Sequence, residues 1–184
     1  APALLHELTS SLCTRMCEVP FLEPAEEIRL LVVELLISIK KHPMLTSIDA
    51  AQILTEIDET ITKTLVKALL DGFPSVKRSG AELLLEISRT SPYTVKSYFK
   101  QLLKALNANS SHQHSKTRSI TLQAIGRGIM CLGLEEYEVT LKDPILAIFL
   151  RTVSDRTASV RIELGNVCSD IFAHRIKQCL SREA

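Results

Sequence analysis

The chain has 184 residues, of which 46% are apolar and 23% charged, with a formal net charge of +1 and no Trp. That length suits one domain with a core of its own. Near-neutrality argues against the basic footprint that phosphate backbones need, and 4% aromatic residues argue against base-stacking platforms.

Taken in order, apolar residues at helical spacing predict an all-α chain, with Gly and Pro standing singly between the runs. Leu4, Leu5, Leu8 and Leu12 mark a helix over about 2–17. "EPAEEIRLLVVELLISI" gives the next, over 24–41, too short and too interrupted by Glu34 to cross a bilayer. Ile57, Ile61, Leu65 and Leu69 mark a helix over 46–70, and the extra length at 42–56 implies that it is broken or extended. "DGFPSVKRSGAELLLEI" opens one over 74–90, and Phe99, Leu102, Leu103 and Leu106 mark another over 94–108. "HQHSKTRSITLQAIGRG" leads into 115–132. Ile145, Ile148 and Phe149 mark 137–152, and "DRTASVRIELGNVCSDI" leads into 157–180.

The four quoted segments repeat one another. Each opens with a polar residue, Glu23, Asp71, His112 or Asp155, and five positions later stands Ile28, Val76, Thr117 or Val160. A basic residue follows every time: Arg29, Lys77, Arg118, Arg161. Apolar or small residues then recur on one helical stripe, as in Gly80, Leu83, Leu84 and Ile87, or Leu164, Val167, Cys168 and Ile171. Positions 28, 76, 117 and 160 set the units 48, 41 and 43 residues apart. The last two spacings fall within the ~40–47 residues of HEAT and armadillo repeats, and the first lies one beyond. The expected fold is a right-handed α-solenoid of about four HEAT-type hairpins, an ARM-repeat-like superhelix. Its units cover about 1–41, 42–91, 92–133 and 134–184 of a single domain.

No constellation in this frame points to chemistry. His112 and His114 form a His-x-His in a polar stretch with no Cys or carboxylate within a turn, so the segment reads as a turn and not as half of a metal site. Cys13 and Cys17 share a helix face without two further ligands and read as thiols lining the core. Glu26/Glu27 and Glu135/Glu136 sit where helix starts favour carboxylates. Phosphate loop, nucleophile elbow and dinucleotide fingerprint are all missing, so neither a catalytic residue nor a cofactor or metal is expected. Gly126 and Gly128 cost helix propensity and call for a packing reason. An odd count of five cysteines suits a reducing compartment. Neither a signal peptide nor a transmembrane run is legible, and the opening inside an apolar helical pattern reads as part of something longer. Arg29, Asp71, Lys77, Arg78, Arg118, Asp155 and Arg161 are candidates either for a ladder between repeats or for a ridge that binds a partner. Arg89 and Lys177, on the second helices, are eligible contacts on the concave side.

"EEIRLLVVELL", "LLDGFPSVKRS" and "SHQHSKTRSITLQAIGRGI" go further than a generic repeat. Over about residues 22–134 the chain resembles the HEAT-repeat dynein axonemal assembly factors, through Glu26 to Leu30, Leu69 to Arg78, Ser111 to His114, Arg118, Ala124 and Gly126. The fourth unit is similar only at the level of HEAT repeats in general. In that repeat family, a turn acid and a basic residue six positions later build ladders between neighbours; His112 departs from the acidic member. The resemblance implies a cytoplasmic, non-catalytic scaffold for pre-assembly of the dynein arms of motile cilia. Implied partners are axonemal dynein chains, particularly intermediate-chain assemblies, and chaperone-linked assembly factors, with neither nucleic acid nor membrane among them. A nuclear-transport receptor or a phosphatase-type scaffold is the alternative for a HEAT solenoid, and an enzyme with helical appendages is a third class. A repeat cut from an array leaves an apolar end face, so the isolated chain is expected to expose a strip around Leu4, Leu5, Leu8 and Leu12 and to self-associate.

Overall fold

Pairs of carboxylates and prolines set where the helices begin. Glu26 and Glu27 open one helix and Lys40 and Lys41 close it, each pair complementing the helix dipole. Pro74 and Pro92 stand at first helical positions, where the missing N–H costs nothing. In a computed structural model, which describes residues 2–17, 23–41, 51–137 and 141–181, the order is α1 (Pro2–Cys17), α2 (Glu26–Lys41), α3 (Ala51–Leu69), α4 (Pro74–Thr90), α5 (Pro92–Asn109), α6 (Ser115–Cys131), a single turn α7 (Leu134–Glu136), α8 (Lys142–Val153) and α9 (Ala158–Leu180). All regular structure among the described residues is helical. Of the extra length expected at 42–56, residues 42–50 lie outside them, as do 138–140, and the rest is the start of α3; the helix expected from 137 begins at Lys142.

Each helix packs only on near neighbours. First helices follow one another (α1 on α3, α3 on α5), and so do second helices (α2 on α4, α4 on α6, α6 on α9), while the two layers meet within hairpins. This is the two-layer arrangement of a helical-repeat solenoid. One continuous apolar cluster runs through it, with Leu36, Ile61, Leu65, Leu84, Phe99, Leu106 and Ile125 fully buried. Two glycines let α6 approach α5 and α9 closely. A Cβ on Gly128 would lie 1.8 Å from the Phe99 ring, and one on Gly126 2.6 Å from Val167 Cγ1. The helix-propensity cost of both is thus offset by close packing.

The end helices keep apolar faces in the open. Ile28, Leu31 and Leu35 form an exposed stripe on α2. The same repeat positions in α4 hold Val76, Ser79 and Leu83, all buried. At the other end Leu146, Leu150 and Val153 on α8, with Phe172 and Ile176 on α9, are exposed. On α1, Leu5 and Leu12 pack against the core while Leu4 and Leu8 face out.

Candidate functional site

The sequence candidates collect along one edge, where the turns inside the hairpins lie side by side. Arg29 reaches across to the next unit, donating from Nε and Nη2 to Asp71 Oδ2 and Oδ1 at 2.7 and 3.1 Å. Its Nη1 donates to the carbonyls of Glu23 and Pro24, in its own turn, at 2.8 and 2.9 Å. Arg118 repeats the pattern two units on. It holds Asp155 through Nε and Nη2, both at 2.7 Å, and the carbonyls of His112 and Gln113 through Nη1. The six-residue spacing seen in the sequence is therefore a guanidinium on its own turn's carbonyl, and the turn acid serves the preceding unit's arginine. Arg161 makes the same backward bond, to the Asp155 carbonyl at 2.6 Å.

The turn acids have a second task. Asp71 Oδ1 accepts the N–H of Phe73, and Asp155 Oδ1 accepts that of Thr157, closing short turns that lead into α4 and α9. Glu23 does so for Ala25. His112 takes this task in the third unit, where its Nδ1 accepts the N–H of His114 at 3.1 Å. What imidazole lacks is a negative charge for the preceding cation. Lys77 accordingly turns to a neutral acceptor, Asn109 Oδ1 at 3.1 Å, whose amide donates to the Leu69 carbonyl at 2.7 Å. Burial lowers the pKa of His112, and the charges of Lys77, His114, Arg118 and Arg78 lower it further. The Arg118 fork pulls the Asp155 pKa below its ordinary value against some desolvation.

Between the third and fourth turns opens a cleft of about 490 Å³, lined by Ser110, Arg118, Arg151, Ser154, Asp155 and Arg156 among others. Arg151 donates to Asn107 Oδ1 and Ser110 Oγ, and Arg156 to the Gln113 carbonyl. A second cleft, of about 300 Å³, lies on the second-helix face among Glu86, Arg89, Arg127, Glu163 and Asp170. There Arg89 pairs with Glu86 at 3.0 Å, while Lys177 stays exposed on α9.

Two contacts had no signal in the sequence, while the Cys13 and Cys17 thiols sit at the core as expected. Lys40 and Asp58 form a buried ion pair at 2.5 Å, each side chain 2% exposed, and Ser91 Oγ donates to the second oxygen of Asp58. Arg175 of α9 caps α6 through the carbonyls of Ile129 and Leu132. Cys17 Sγ lies 3.3 Å from Thr64 Oγ1, and burial pushes the neighbouring Cys13 thiol, like that of Cys131, up to about 11. No group of three or more His, Cys, Asp or Glu among the described residues converges as ligands would, and none of the described helices is long and apolar enough to cross a membrane.

A family profile described as "Dynein axonemal assembly factor 5-like, TPR repeats" matches residues 2–177. That span runs beyond 22–134, where the motif resemblance is close, and takes in the fourth unit. The unit spacing of 41–48 residues exceeds the ~34 of tetratricopeptide repeats named in that description. Among curated proteins, dynein axonemal assembly factor 5 of Mus musculus is 31% identical over 166 residues, covering 90% of this chain and 18% of its own length. The Drosophila melanogaster protein of that name is 28% identical over 67% of this chain and 14% of its own, and that of Xenopus laevis 29% over 90% and 18%. The chain thus spans less than a fifth of the relatives it matches.

Proposed function

The chain belongs to the dynein axonemal assembly factor 5-like repeat family, and from that membership we propose that it is a non-catalytic, protein-binding segment of a scaffold for cytoplasmic pre-assembly of axonemal dynein arms. The observation that carries this reading is the match along nearly the whole chain to relatives named as dynein axonemal assembly factors. The fold supports it physically. Stacked hairpins offer a long surface whose units touch only their neighbours, suited to large clients held by area and shape. Dynein chains, intermediate-chain assemblies above all, are the proposed clients, with chaperone-linked assembly factors as co-workers. In isolation, the exposed end stripes seat a second copy of the chain, because their register is that of buried joints inside the array.

The test is depletion of the full-length protein in cells that build motile cilia, with dynein arms counted on axoneme cross-sections. Missing arms, with dynein heavy chains unstable in the cytoplasm, are the expected outcome. Arms present in normal number would overturn the assembly role and leave the repeat fold standing.

A further inference from the structure

We propose that the cleft between the α5–α6 and α8–α9 turns is a docking site for an acidic, carboxylate-rich segment of a protein partner. The proposal rests on the scaffold reading above and deepens it by naming a place and a chemistry.

The argument begins with charge. The chain as a whole carries +1, yet Lys77, Arg78, Arg118, Arg151 and Arg156 gather around this cleft and His112. Asp155 is the one carboxylate in the lining, and both of its oxygens are already held, by Arg118 and by the Thr157 N–H. Arg118 is correspondingly satisfied. Arg151 and Arg156 are not neutralised in this way. Both are exposed, and the bonds they make go to an amide oxygen, a hydroxyl and a backbone carbonyl. Each guanidinium keeps its full charge and further N–H donors for an incoming carboxylate.

Repeat register explains part of the excess. Position 112 is where sister units place Glu23, Asp71 and Asp155, and a neutral imidazole there leaves Lys77 on an amide acceptor. The missing acid removes a negative charge beside the cleft, and Arg151 and Arg156 bring positive charge that no carboxylate fork holds. The occupant follows from shape and lining. The cleft is an open trough between two turns, with the exposed Ser111 and Ser154 at hand as donors, which suits an extended peptide better than a flat lipid surface. It holds no Phe, Tyr or Trp on which a base would stack.

The test is fluorescence anisotropy of a labelled short peptide rich in Glu and Asp, titrated with the purified chain at low salt. A Gln-for-Glu, Asn-for-Asp peptide of equal length serves as the neutral comparison. Saturable binding of the acidic peptide is expected, weakened about tenfold or more by the double substitution Arg151→Glu with Arg156→Glu, since both side chains leave the core untouched. Lys41→Glu with Arg89→Glu, on the second-helix face, should leave binding within about twofold. Equal binding of the two peptides, or equal loss in both double variants, would overturn the proposal. So would tighter binding at this cleft of an RNA oligonucleotide of matched charge. None of these outcomes bears on the dynein-arm count, so the site and the assembly role fail separately.

Discussion

One guanidinium ties two repeats: Arg29 grips Asp71 of the next unit, 42 residues away in the chain, with two bonds while its third nitrogen holds the carbonyls of its own turn. Both side chains are largely buried, at 13% and 8% exposure, so solvent screens the pair only partly. Lysine at this position keeps the charge and loses the fork. Arg29→Lys is expected to lower unfolding stability by about 1–2 kcal/mol, from the lost charge-assisted bonds. Urea denaturation with an unchanged m-value would check it, and a midpoint equal to the parent's would show the ladder to be energetically idle.

The equivalent joint between the third and fourth units carries a pH signature. The Asp155 pKa is depressed chiefly by its bonds to Arg118. Its stabilisation is therefore fully present above the ordinary aspartate value, about 4, and is lost as pH falls through the lower value of the folded state. Asp155→Asn should make the chain less stable at neutral pH and flatten that part of the acid limb. Denaturation midpoints of parent and variant that run parallel from pH 6 to pH 3 would contradict the assignment.

His112 contributes with the same sign in a different window. Its pKa is lowered, so the folded state prefers the neutral ring, and stability declines as pH falls below the ordinary histidine value of about 6.5. His112→Asp restores the turn acid and gives Lys77 a charged partner. We expect a gain of up to about 1 kcal/mol at neutral pH, the ordinary worth of a partly exposed pair. We also expect weaker binding of the acidic peptide, from the same substitution. Thermal melts and anisotropy on one preparation would read both, and a stability loss in the variant would sink the register argument.

Lys40 and Asp58 predict a large effect. Removing one member of a buried pair leaves the other charge without compensation, so Lys40→Met should cost about 3–5 kcal/mol. Replacing both by apolar residues should recover much of that loss. A double-mutant cycle by chemical denaturation decides the matter, and additive single effects would rule out coupling.

At Gly128 the expectation is steric. Even a methyl group would overlap the Phe99 ring, which is fully buried and has no free space to turn into. Gly128→Ala should destabilise by about 1–3 kcal/mol despite the better helix propensity of alanine. A variant more stable than the parent would mean that α5 and α6 can move apart freely.

The helices were legible because their apolar residues recur at helical spacing and because Pro74, Pro92 and the turn acids mark the starts. The repeat register was legible for the same reason: Arg29, Lys77, Arg118 and Arg161 occupy one position four times. Direction within the ladder was not. A cation and an acid six residues apart look like partners, yet the acid of one unit serves the arginine of the unit before. The Lys40, Asp58 and Ser91 cluster left no trace at all, since sister helices carry Ser88 and Ile129 where α2 has Lys40. A contact made once, between residues far apart in the chain, has no period to betray it. Arg156 was hidden similarly, since its sister positions hold Pro24, Gly72 and Gln113, while Arg151 has one basic counterpart, Lys67.

The three joints of the turn edge are unequal. The first and third are clamped by a forked guanidinium on a carboxylate, the second by one ammonium on an amide oxygen and that amide's bond to the Leu69 carbonyl, with no charge pair. In a stack loaded along its length, deformation concentrates in the most compliant element. The joint without a charge pair, between the second and third units, is where such deformation is expected first. A bulky client pressing on the surface would bend the stack there, and the edge that widens or narrows with the bend is the one that carries Lys77 and His112.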